Sequence, residues 1–308
     1  MVENNRTTVM EFILLGLSDD PGQQPVLFAS FLIAYLLGLL GNLLIMTLIS
    51  IDPALHSPMY LFIATLNIVD IGLISSAVPK MLINIYTNKK AISFVACIAQ
   101  LYFFVFFAGS ECVLLAVMAF DRYVAISLPL RYSVIMRTNV CLDLVLASFT
   151  ISFLHALLHT LLMARLSFCG PNRILHYFCD IAPLLKLSCT DTSINELVIF
   201  TEGSLLVMVP FLAVLISYAC ILVAILRIQS TKGRYQAFST CSSHLTVVTL
   251  FFGTLMFMYF RPLSSYSLSQ ERMVTVVYNV LAPMLNPFIY SLRNKQVKDS
   301  MRRVLGLP

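Results

Sequence analysis

The sequence predicts an all-α membrane protein: a bundle of seven transmembrane helices with the N-terminus outside and the C-terminus inside. The first observation is composition, since 59% of the 308 residues are hydrophobic, only 11% are charged, and the mean hydropathy is +0.87. A soluble protein of this length needs more charge to cover its surface. The second observation is a succession of seven apolar blocks, each about long enough to cross a bilayer. Because that number is odd, the two chain ends lie on opposite sides of the membrane.

The seven blocks are predicted to be helices, because backbone polar groups within lipid must be hydrogen-bonded inside their own segment. The links between them are short, except for one long loop over residues 165–195. In chain order, the blocks cover residues 25–49, 58–86, 94–125, 140–162, 197–226, 238–260 and 273–292.

Three parts of the chain are distinguished by this pattern. Residues 1–24 are predicted to form an extracellular tail, and residues 25–292 the transmembrane bundle. Residues 293–308 are predicted to form a cytoplasmic tail with a short amphipathic helix along the membrane. The apolar side of that helix carries Val297, Met301 and Val304.

The orientation rests on two features, because the excess of basic residues on the inner side is slight, at 11 against 9. Asn5 begins an Asn-Arg-Thr glycosylation sequon, which has meaning only on the lumenal side. Four cysteines fall on that same side, where disulfides persist. They allow three pairings, of which we favour one that joins the loop to the third helix and closes the loop on itself. The favoured pairs are Cys97 with Cys179, and Cys169 with Cys189.

Two carboxylates within the second and third blocks predict a polar site inside the membrane. Asp70 and Glu111 lie at similar depth on antiparallel neighbours. If they face each other, they share a proton or a cation such as sodium, because two close carboxylates in low dielectric cannot both stay bare. Asn42 and Asn286 lie at comparable depth and could complete the network. A purely structural hydrogen-bond cluster is an equally good interpretation.

A third carboxylate, Glu202, lies about two turns into the fifth block without an obvious partner. It is either neutral and hydrogen-bonded, or it faces an outward-opening cavity and contacts a polar group of a ligand. His155 and His159 have the i, i+4 spacing of a metal-binding pair on a helix. Because the sequence offers no third ligand within reach, packing is the favoured interpretation and no metal site is predicted.

Several short motifs occur in a fixed order along the chain and identify a family resemblance. They are Gly41-Asn42, LHSPMY (55–60), Leu66 to Asp70, MAFDRYVAISLPLRY (118–132), Ser217-Tyr218, AFSTCSSH (237–244) and PMLNPFIYSLRN (283–294). With these motifs, the chain resembles a rhodopsin-type G-protein-coupled receptor of the olfactory (odorant) subfamily. The chain departs from the family pattern at Phe120, Ser127 and Leu128, which stand where the family usually has Tyr, Cys and His.

The resemblance implies a receptor in the plasma membrane that binds small volatile molecules and activates a stimulatory olfactory-type G protein, raising cyclic AMP. In such receptors Arg122 is held by Asp121 and by groups on the sixth helix until an agonist moves that helix outward. Leu128 removes a polar contact near the G-protein surface, which we expect to weaken coupling. The residues expected to act in coupling and switching are Asp121, Arg122, Tyr123, Tyr218, Asn286, Pro287 and Tyr290.

The resemblance also places the ligand in the outer part of the bundle, between the third, fifth, sixth and seventh helices. Such a pocket is mostly apolar with a few polar anchors, as a small volatile ligand requires. The expected lining residues are Phe104, Val105, Ala108, Cys112, Glu202, Leu206, Leu255, Tyr259, Val276 and Asn279.

Other classes of function fit the sequence less well. An ion channel or carrier should show polar residues along a continuous pore face, and an enzyme should show a paired His, Cys or Ser constellation. A non-chemosensory receptor for small molecules or peptides is the main alternative. The expected partners are a volatile ligand, a heterotrimeric G protein and the lipid bilayer, with no nucleic acid and no cofactor other than sodium at Asp70 and Glu111.

Overall fold

The computed structural model describes residues 10–18, 20–259 and 268–305. Within them the chain is mostly helical. The helices are α1 (Gln24–Ile51), α2 (Pro58–Thr87), α3 (Phe94–Ser127), α4 (Tyr132–Ile135), α5 (Thr138–Ala164), α6 (Ile181–Leu185), α7 (Ser193–Val198), α8 (Ser204–Leu226), α9 (Thr231–Tyr259), α10 (Leu268–Val276), α11 (Ala282–Arg293) and α12 (Lys295–Leu305).

Two of the membrane helices contain a π turn, a stretch where the helix is wound more widely than normal. The first, Ile199–Gly203, joins α7 to α8, so that these elements form one continuous fifth span, Ser193–Leu226. The second, Val277–Leu281, joins α10 to α11 in the seventh span. Such turns redirect the side chains that follow them, because the added residue rotates the helix face by about 100°.

The predicted seven-helix bundle is confirmed. Among the described residues, six helices are long and apolar enough to cross a membrane, and α9 contains a shorter apolar stretch, Cys241–Phe257. The helices begin and end close to the predicted positions, with one clear exception. The sixth helix begins at Thr231, seven residues before the predicted 238. Its polar first turns continue the helical hydrogen bonding outside the apolar stretch, which hydropathy alone does not register.

The third helix is the centre of the bundle, since α3 packs against α2, α5, α8 and α9. Helix α1 packs against α2 and α11. Gly41 allows the close approach of α1 to α11, because a Cβ at that position would lie 3.0 Å from Cγ of Pro287. The buried apolar side chains form two main cores. An outer core includes Phe104 and Tyr278, and an inner core includes Phe251 and Tyr290.

The outer end of the bundle is covered by a small three-stranded sheet and the long loop. Strand β1 (Glu11–Leu14) lies in the middle, antiparallel to β2 (Ala91–Ser93) and parallel to β3 (Arg173–Ile174). Phe12 and Leu14 point into the outer core and are fully buried. Part of the predicted extracellular tail is therefore an integral part of the fold. Its pairing partners lie far along the chain, so a four-residue alternation could not predict it.

The disulfides join the same cysteines as the favoured pairing. Cys97 at the start of α3 is bonded to Cys179, with their Cα atoms 5.5 Å apart. Cys169 and Cys189 close the long loop on itself, with a Cα separation of 5.8 Å. The first bond ties the middle of the loop to the central helix, so the loop covers the outer core. Asn5 lies outside the described residues.

At the inner end, residues 295–305 form the helix α12, which packs against the bundle. Val297 is buried in the inner core, and Met301 packs against that core. Val304 is 47% exposed, and the predicted position of this helix along the membrane stays a prediction. Arg303 forms an ion pair with Asp52, which follows α1. The helix therefore lies against the first inner loop as well as the bundle.

Candidate functional site

The first polar site inside the bundle is the carboxylate cluster, made of Asp70 on α2, Glu111 on α3 and Asn286 on α11. All three side chains are fully buried. The Asn286 Nδ2 donates to both carboxylate oxygens of Asp70, at 3.0 and 3.1 Å. Glu111 lies close enough to Asp70 for their charges to repel. Neither carboxyl oxygen of Glu111 has a hydrogen-bond partner among the described residues.

Asn42 lies outside this hydrogen-bonded cluster. Its Nδ2 donates to the backbone carbonyls of Gly38 at 2.8 Å and Pro283 at 3.1 Å, so it joins α1 to α11. Its Oδ1, like the Oδ1 of Asn286, is buried and has no hydrogen-bond partner within the described part of the chain. Within the cluster itself, the unpaired atoms are the two carboxyl oxygens of Glu111 and Oδ1 of Asn286. Oxygens are the ligands that hard cations prefer.

The second polar site is the histidine cluster, made of His155 and His159 on α5 and Glu202 in the π turn of the fifth span. The Nδ1 of His155 lies 2.8 Å from both carboxylate oxygens of Glu202. The Nε2 of His159 lies 3.1 Å from Oε2 of the same carboxylate. Glu202 therefore has hydrogen-bond partners, and its predicted contact with a ligand stays a prediction. The reasoning that left the two histidines without a third group is wrong.

The π turn explains why the sequence misplaces Glu202. In a regular helix Glu202 and Leu206, at i and i+4, would share one face and both would face α3. Leu206 does face α3, because its carbonyl accepts from Sγ of Cys112 at 3.4 Å. Glu202, which lies within Ile199–Gly203, instead contacts α5. The wider turn separates the two side chains.

The predicted ligand residues of α3 lie in the outer core. The ring of Phe104 packs against Phe178 of the long loop, with ring centroids 4.7 Å apart, and against Tyr278 at 5.9 Å. Val105 belongs to the same core, and Ala108 and Val276 pack against it. The structure therefore brings these predicted residues together.

Two further predicted residues, Cys112 and Leu255, belong instead to the inner core. Asn279 lies in the second π turn and is fully buried. Its Nδ2 is 3.5 Å from the hydroxyl of Tyr177, and its Oδ1 has no hydrogen-bond partner among the described residues. The side chain of Tyr259 lies outside the described residues.

Sequence reasoning missed three aromatic residues of this region, namely Tyr177, Phe178 and Tyr278. The signal for the first two was their position directly before Cys179. The disulfide fixes Cys179 above α3, and its backbone N–H donates to Oε1 of Gln100 at 2.9 Å. The two preceding rings are thereby held over the outer core, where Tyr177 and Phe178 are fully buried.

A separate recess of about 420 Å³, including its open mouth, lies at the outer end between β1, α1 and α2. Leu14, Leu27, Asn84 and Tyr177 are among the residues that line it. None of the predicted ligand residues whose side chains the structure describes lines this recess. The recess adjoins the outer-core region around Phe104, because Tyr177 belongs to both.

The predicted switch residues of α3, namely Asp121, Arg122 and Tyr123, lie at its inner end, whereas Asn286 belongs to the carboxylate cluster and Pro287 lies against Gly41 of α1. Asp121 and Arg122 are both buried. Oδ1 of Asp121 accepts from the hydroxyl of Tyr132 on α4 at 2.7 Å, and the described residues show no ion pair between Asp121 and Arg122. This differs from the expectation that Asp121 holds the arginine. Consecutive residues of a helix do not face each other, so the carboxylate is turned towards α4.

Two further switch residues, Tyr218 and Tyr290, lie near Arg122. The hydroxyl of Tyr218 on α8 is 2.7 Å from Nδ1 of His244 on α9, with the two rings stacked. The hydroxyl of Tyr290 on α11 is buried without a hydrogen-bond partner among the described residues. Tyr123 packs against the inner core. Helices α3, α8, α9 and α11 therefore meet around one buried arginine.

His176 of the long loop lies outside the membrane spans and is almost fully buried. Burial and the nearby positive charge of Arg272 lower its pKa from 6.5 to about 3. Both ring nitrogens lack hydrogen-bond partners in the described part of the chain. His176 is therefore neutral at physiological pH.

Comparisons with known proteins agree with this architecture. The sequence model of the olfactory receptor family matches residues 31–307. Olfactory receptor 5AP2 of Mus musculus is 55% identical over 301 residues, covering 98% of this chain and 95% of that protein. The Homo sapiens olfactory receptors 5AP2 and 1F1 are 52% and 51% identical, covering 98% and 99% of this chain and 95% and 98% of their own lengths.

Among solved structures, the crystal structure of squid rhodopsin matches with a TM-score of 0.72 at 17% sequence identity. The match covers 93% of this chain and 82% of that chain, and at this identity it shows the fold alone. Sequence and fold together describe a multi-pass receptor of the plasma membrane rather than an enzyme. Given its 55% identity to an olfactory receptor and a family match over residues 31–307, the chain belongs to the olfactory receptor family.

Proposed function

We propose that this receptor binds a small volatile molecule in the outer half of the bundle and, when occupied, activates a stimulatory olfactory-type G protein that raises cyclic AMP. The observation that carries the ligand part of the proposal is the amide of Asn279. Its Oδ1 is buried without a hydrogen-bond partner among the described residues, next to an outer core of aromatic and aliphatic side chains. A buried acceptor in apolar surroundings gains free energy when a ligand hydroxyl or amine donates to it.

The composition of the region supports a small and mainly apolar ligand. Phe104, Val105 and Tyr278 are apolar or aromatic and nearly fully buried, and Phe178 of the long loop covers Phe104. Sites for small molecules combine such walls with few polar anchors. Asn279 is the polar anchor on the seventh span. The prediction that Glu202 also contacts the ligand stays a prediction.

The central helix offers a direct route from this region to the G-protein side. From Phe104 to Arg122 the helix advances 18 residues, or about 27 Å at 1.5 Å per residue. A ligand that prefers one packing of the outer core biases the arrangement of helices around Arg122. We expect Asp121 and Tyr218, which are hydrogen-bonded to α4 and α9, to change partners in that transition. Tyr290, whose hydroxyl has no hydrogen-bond partner among the described residues, should gain one.

We also propose that the carboxylate cluster holds a sodium ion in the inactive receptor. The unpaired oxygens of Glu111, together with Asp70 and the amide oxygen of Asn286, form a donor set that suits a hard cation. A cation there supplies positive charge that offsets the repulsion between Asp70 and Glu111.

The experiment that tests the function is a cyclic-AMP assay in cells expressing the receptor with an olfactory-type stimulatory G protein, over a panel of volatile compounds. We expect at least one volatile to raise cyclic AMP in a dose-dependent way. Arg122→Ala should abolish the response at equal surface expression, whereas Asn279→Ala should shift the half-maximal dose of ligands that carry a hydrogen-bond donor.

A matched pair of ligands sharpens the test of Asn279. A volatile alcohol and its methyl ether differ only in the hydroxyl donor, so Asn279→Ala should weaken the response to the alcohol more than the response to the ether. Equal effects on both would contradict the role of Asn279. A full response from Arg122→Ala would contradict the proposed coupling.

A further inference from the structure

We propose that His155, His159 and Glu202 form a binding site for a divalent transition-metal ion, with Zn²⁺ as its best representative, and that the ion links α5 to the π turn of the fifth span. The three side chains converge from two helices. Glu202 follows His155 by 47 residues and His159 by 43 residues in the chain. Each offers one ligand atom, and these atoms all lie within 4.8 Å of one another.

The donor set is the one that zinc prefers. Two imidazole nitrogens and one carboxylate oxygen bind zinc with three protein ligands and leave a fourth position open. Imidazole also selects for zinc, copper and nickel over the hard cations, which favour all-oxygen sites. The histidine cluster therefore differs in chemistry from the carboxylate cluster, and a different ion is expected at each.

The distances require little rearrangement. In a tetrahedral site with metal–ligand bonds of about 2.0–2.2 Å, neighbouring ligand atoms lie about 3.4 Å apart. Here Nδ1 of His155 is 2.8 Å and Nε2 of His159 is 3.1 Å from the carboxylate of Glu202. An entering ion must separate these two pairs by about 0.3–0.6 Å. The two ring nitrogens lie within 4.8 Å of each other, so side-chain rotation must also bring them to the same spacing.

The protons of the two imidazoles can also be placed so that both rings bind the ion in place of their contacts with Glu202. A neutral imidazole carries its proton on one ring nitrogen and presents a lone pair at the other. In the metal-free cluster the histidines face Glu202 with Nδ1 of His155 and Nε2 of His159. When the ion binds, each ring carries its proton on the opposite nitrogen and turns its lone pair to the metal. The rings stay neutral and the ion compensates the charge of Glu202.

The backbone geometry is compatible with a bound ion. Both histidines are largely buried, whereas the side chain of Glu202 is 38% exposed, so the protein does not enclose the cluster on that side. The π turn places Glu202 towards α5, and π turns occur frequently at functional sites. Gly203, the next residue, keeps its neighbourhood free, because a Cβ there would still be 4.0 Å from Nε2 of His159.

The test uses the purified full-length receptor in detergent, stripped with a chelator and then titrated with ZnCl₂. We expect zinc to raise the melting temperature in a saturable way, because an ion that binds only the folded state stabilises it. Mg²⁺ at the same concentrations should have no such effect. The substitutions His155→Gln, His159→Gln and Glu202→Gln should each weaken zinc binding by at least about 10-fold, the lower end of what loss of an outer-shell partner costs.

Two control substitutions are matched to these. His176→Gln removes a buried histidine of the long loop, and Glu196→Gln removes an exposed glutamate of α7 in the same span as Glu202. Both should bind zinc like the unsubstituted receptor. If zinc stabilises the three cluster variants as strongly as the controls, the proposed site is wrong.

A second measurement needs no substitution and therefore does not depend on the folding of variants. Co²⁺ in a four-coordinate N₂O site gives visible d–d absorption, which zinc in excess should abolish. Absence of both this absorption and the zinc-dependent shift in the unsubstituted receptor overturns the proposal. Neither readout involves a volatile ligand or a G protein, so failure here leaves the proposed odorant function untouched, and the reverse also holds.

Discussion

The carboxylate cluster and the histidine cluster are both ionisable groups inside membrane spans, yet they differ in exposure and in ligand chemistry. Asp70, Glu111 and Asn286 come from three helices, are fully buried and offer only oxygen and amide groups. The histidine cluster comes from two helices, combines nitrogen with oxygen, and is open at Glu202. The comparison shows that burial and donor type, rather than the mere presence of a charged residue, decide what each site can hold.

The difference extends to hydrogen bonding. In the histidine cluster every member contacts another member directly, so the group is complete without an ion. In the carboxylate cluster both oxygens of Glu111 lack a partner among the described residues. Because an unpaired buried polar group is costly, the carboxylate cluster depends more strongly on a proton or a cation than the histidine cluster does. Four experiments test this contrast, ordered from the largest expected effect to the smallest.

The largest effect is expected from Asn286→Leu. The substitution removes the side chain that donates to both oxygens of Asp70, and leaves a buried carboxyl group unpaired beside Glu111. We expect a loss of about 1–3 kcal/mol in the free energy of unfolding. His159→Leu should cost less, because Glu202 keeps its contact with His155 and is partly exposed. Thermal unfolding, followed by the reactivity of the buried thiols Cys112, Cys141 and Cys241, measures both.

The reverse ranking would contradict the contrast drawn here. If His159→Leu destabilised the receptor more than Asn286→Leu, the partly open cluster would carry the larger structural role. Surface expression of both variants serves as the control, because a variant that fails to mature cannot be compared.

The next largest effect is expected from sodium, which should stabilise the receptor through the carboxylate cluster and not through the histidine cluster. In excess sodium, each tenfold rise in sodium concentration should add about 1.4 kcal/mol of stability if only the folded state binds the ion. Glu111→Gln should remove this response, because it replaces a charged oxygen ligand with a neutral amide. His155→Gln should keep it, since that residue lies in the other cluster. Melting temperatures in NaCl, compared with choline chloride at equal ionic strength, give the answer. A sodium response that survives Glu111→Gln would exclude the carboxylate cluster as the sodium site.

A smaller effect comes from His176, a buried histidine outside both clusters. Its folded-state pKa of about 3 is below the unfolded value of 6.5, so folding favours the neutral form. This stability is fully present above pH 6.5 and is lost as the pH falls towards 3. Between pH 8 and pH 6 we expect a loss of about 0.8 kcal/mol.

His176→Gln should remove that pH dependence, because glutamine does not titrate. The measurement is the melting temperature at pH 8, 7 and 6 in the presence of a chelator, which excludes metal effects at the histidine cluster. An unchanged slope in His176→Gln would assign the titration to another group.

The smallest effect is expected from Gly203→Ala, and it has the opposite sign. Gly203 has helical dihedrals, with φ of −61° and ψ of −41°, and space for a methyl group. Alanine should therefore raise the free energy of unfolding by about 0.5 kcal/mol through the lower backbone entropy of the unfolded chain. Zinc affinity should stay unchanged. A loss of stability would show that the π turn tolerates no side chain next to His159.

The sequence predicted more of the carboxylate cluster than of the histidine cluster. Asp70 and Asn286 could be placed at one depth by counting residues from the helix ends, and the structure joins them directly. Counting residues could not place Glu202, because it lies within a π turn, which adds a residue to the helical repeat. The family resemblance placed Glu202 opposite α3, whereas its carboxylate contacts His155 and His159 of α5.

Local hydropathy alone determined the seven spans, the all-α class and the apolar character of the outer and inner cores. These features depend only on whether a stretch of about 20 residues prefers lipid to water. The tertiary structure decided the rest: the strand Glu11–Leu14 in a sheet with residues 80 and 160 positions away, the rings of Tyr177 and Phe178 over Phe104, and the meeting of α5 with the fifth span. Such contacts depend on the rotation of each helix about its axis and on pairing between distant segments. Neither can be predicted from the hydropathy of a single stretch.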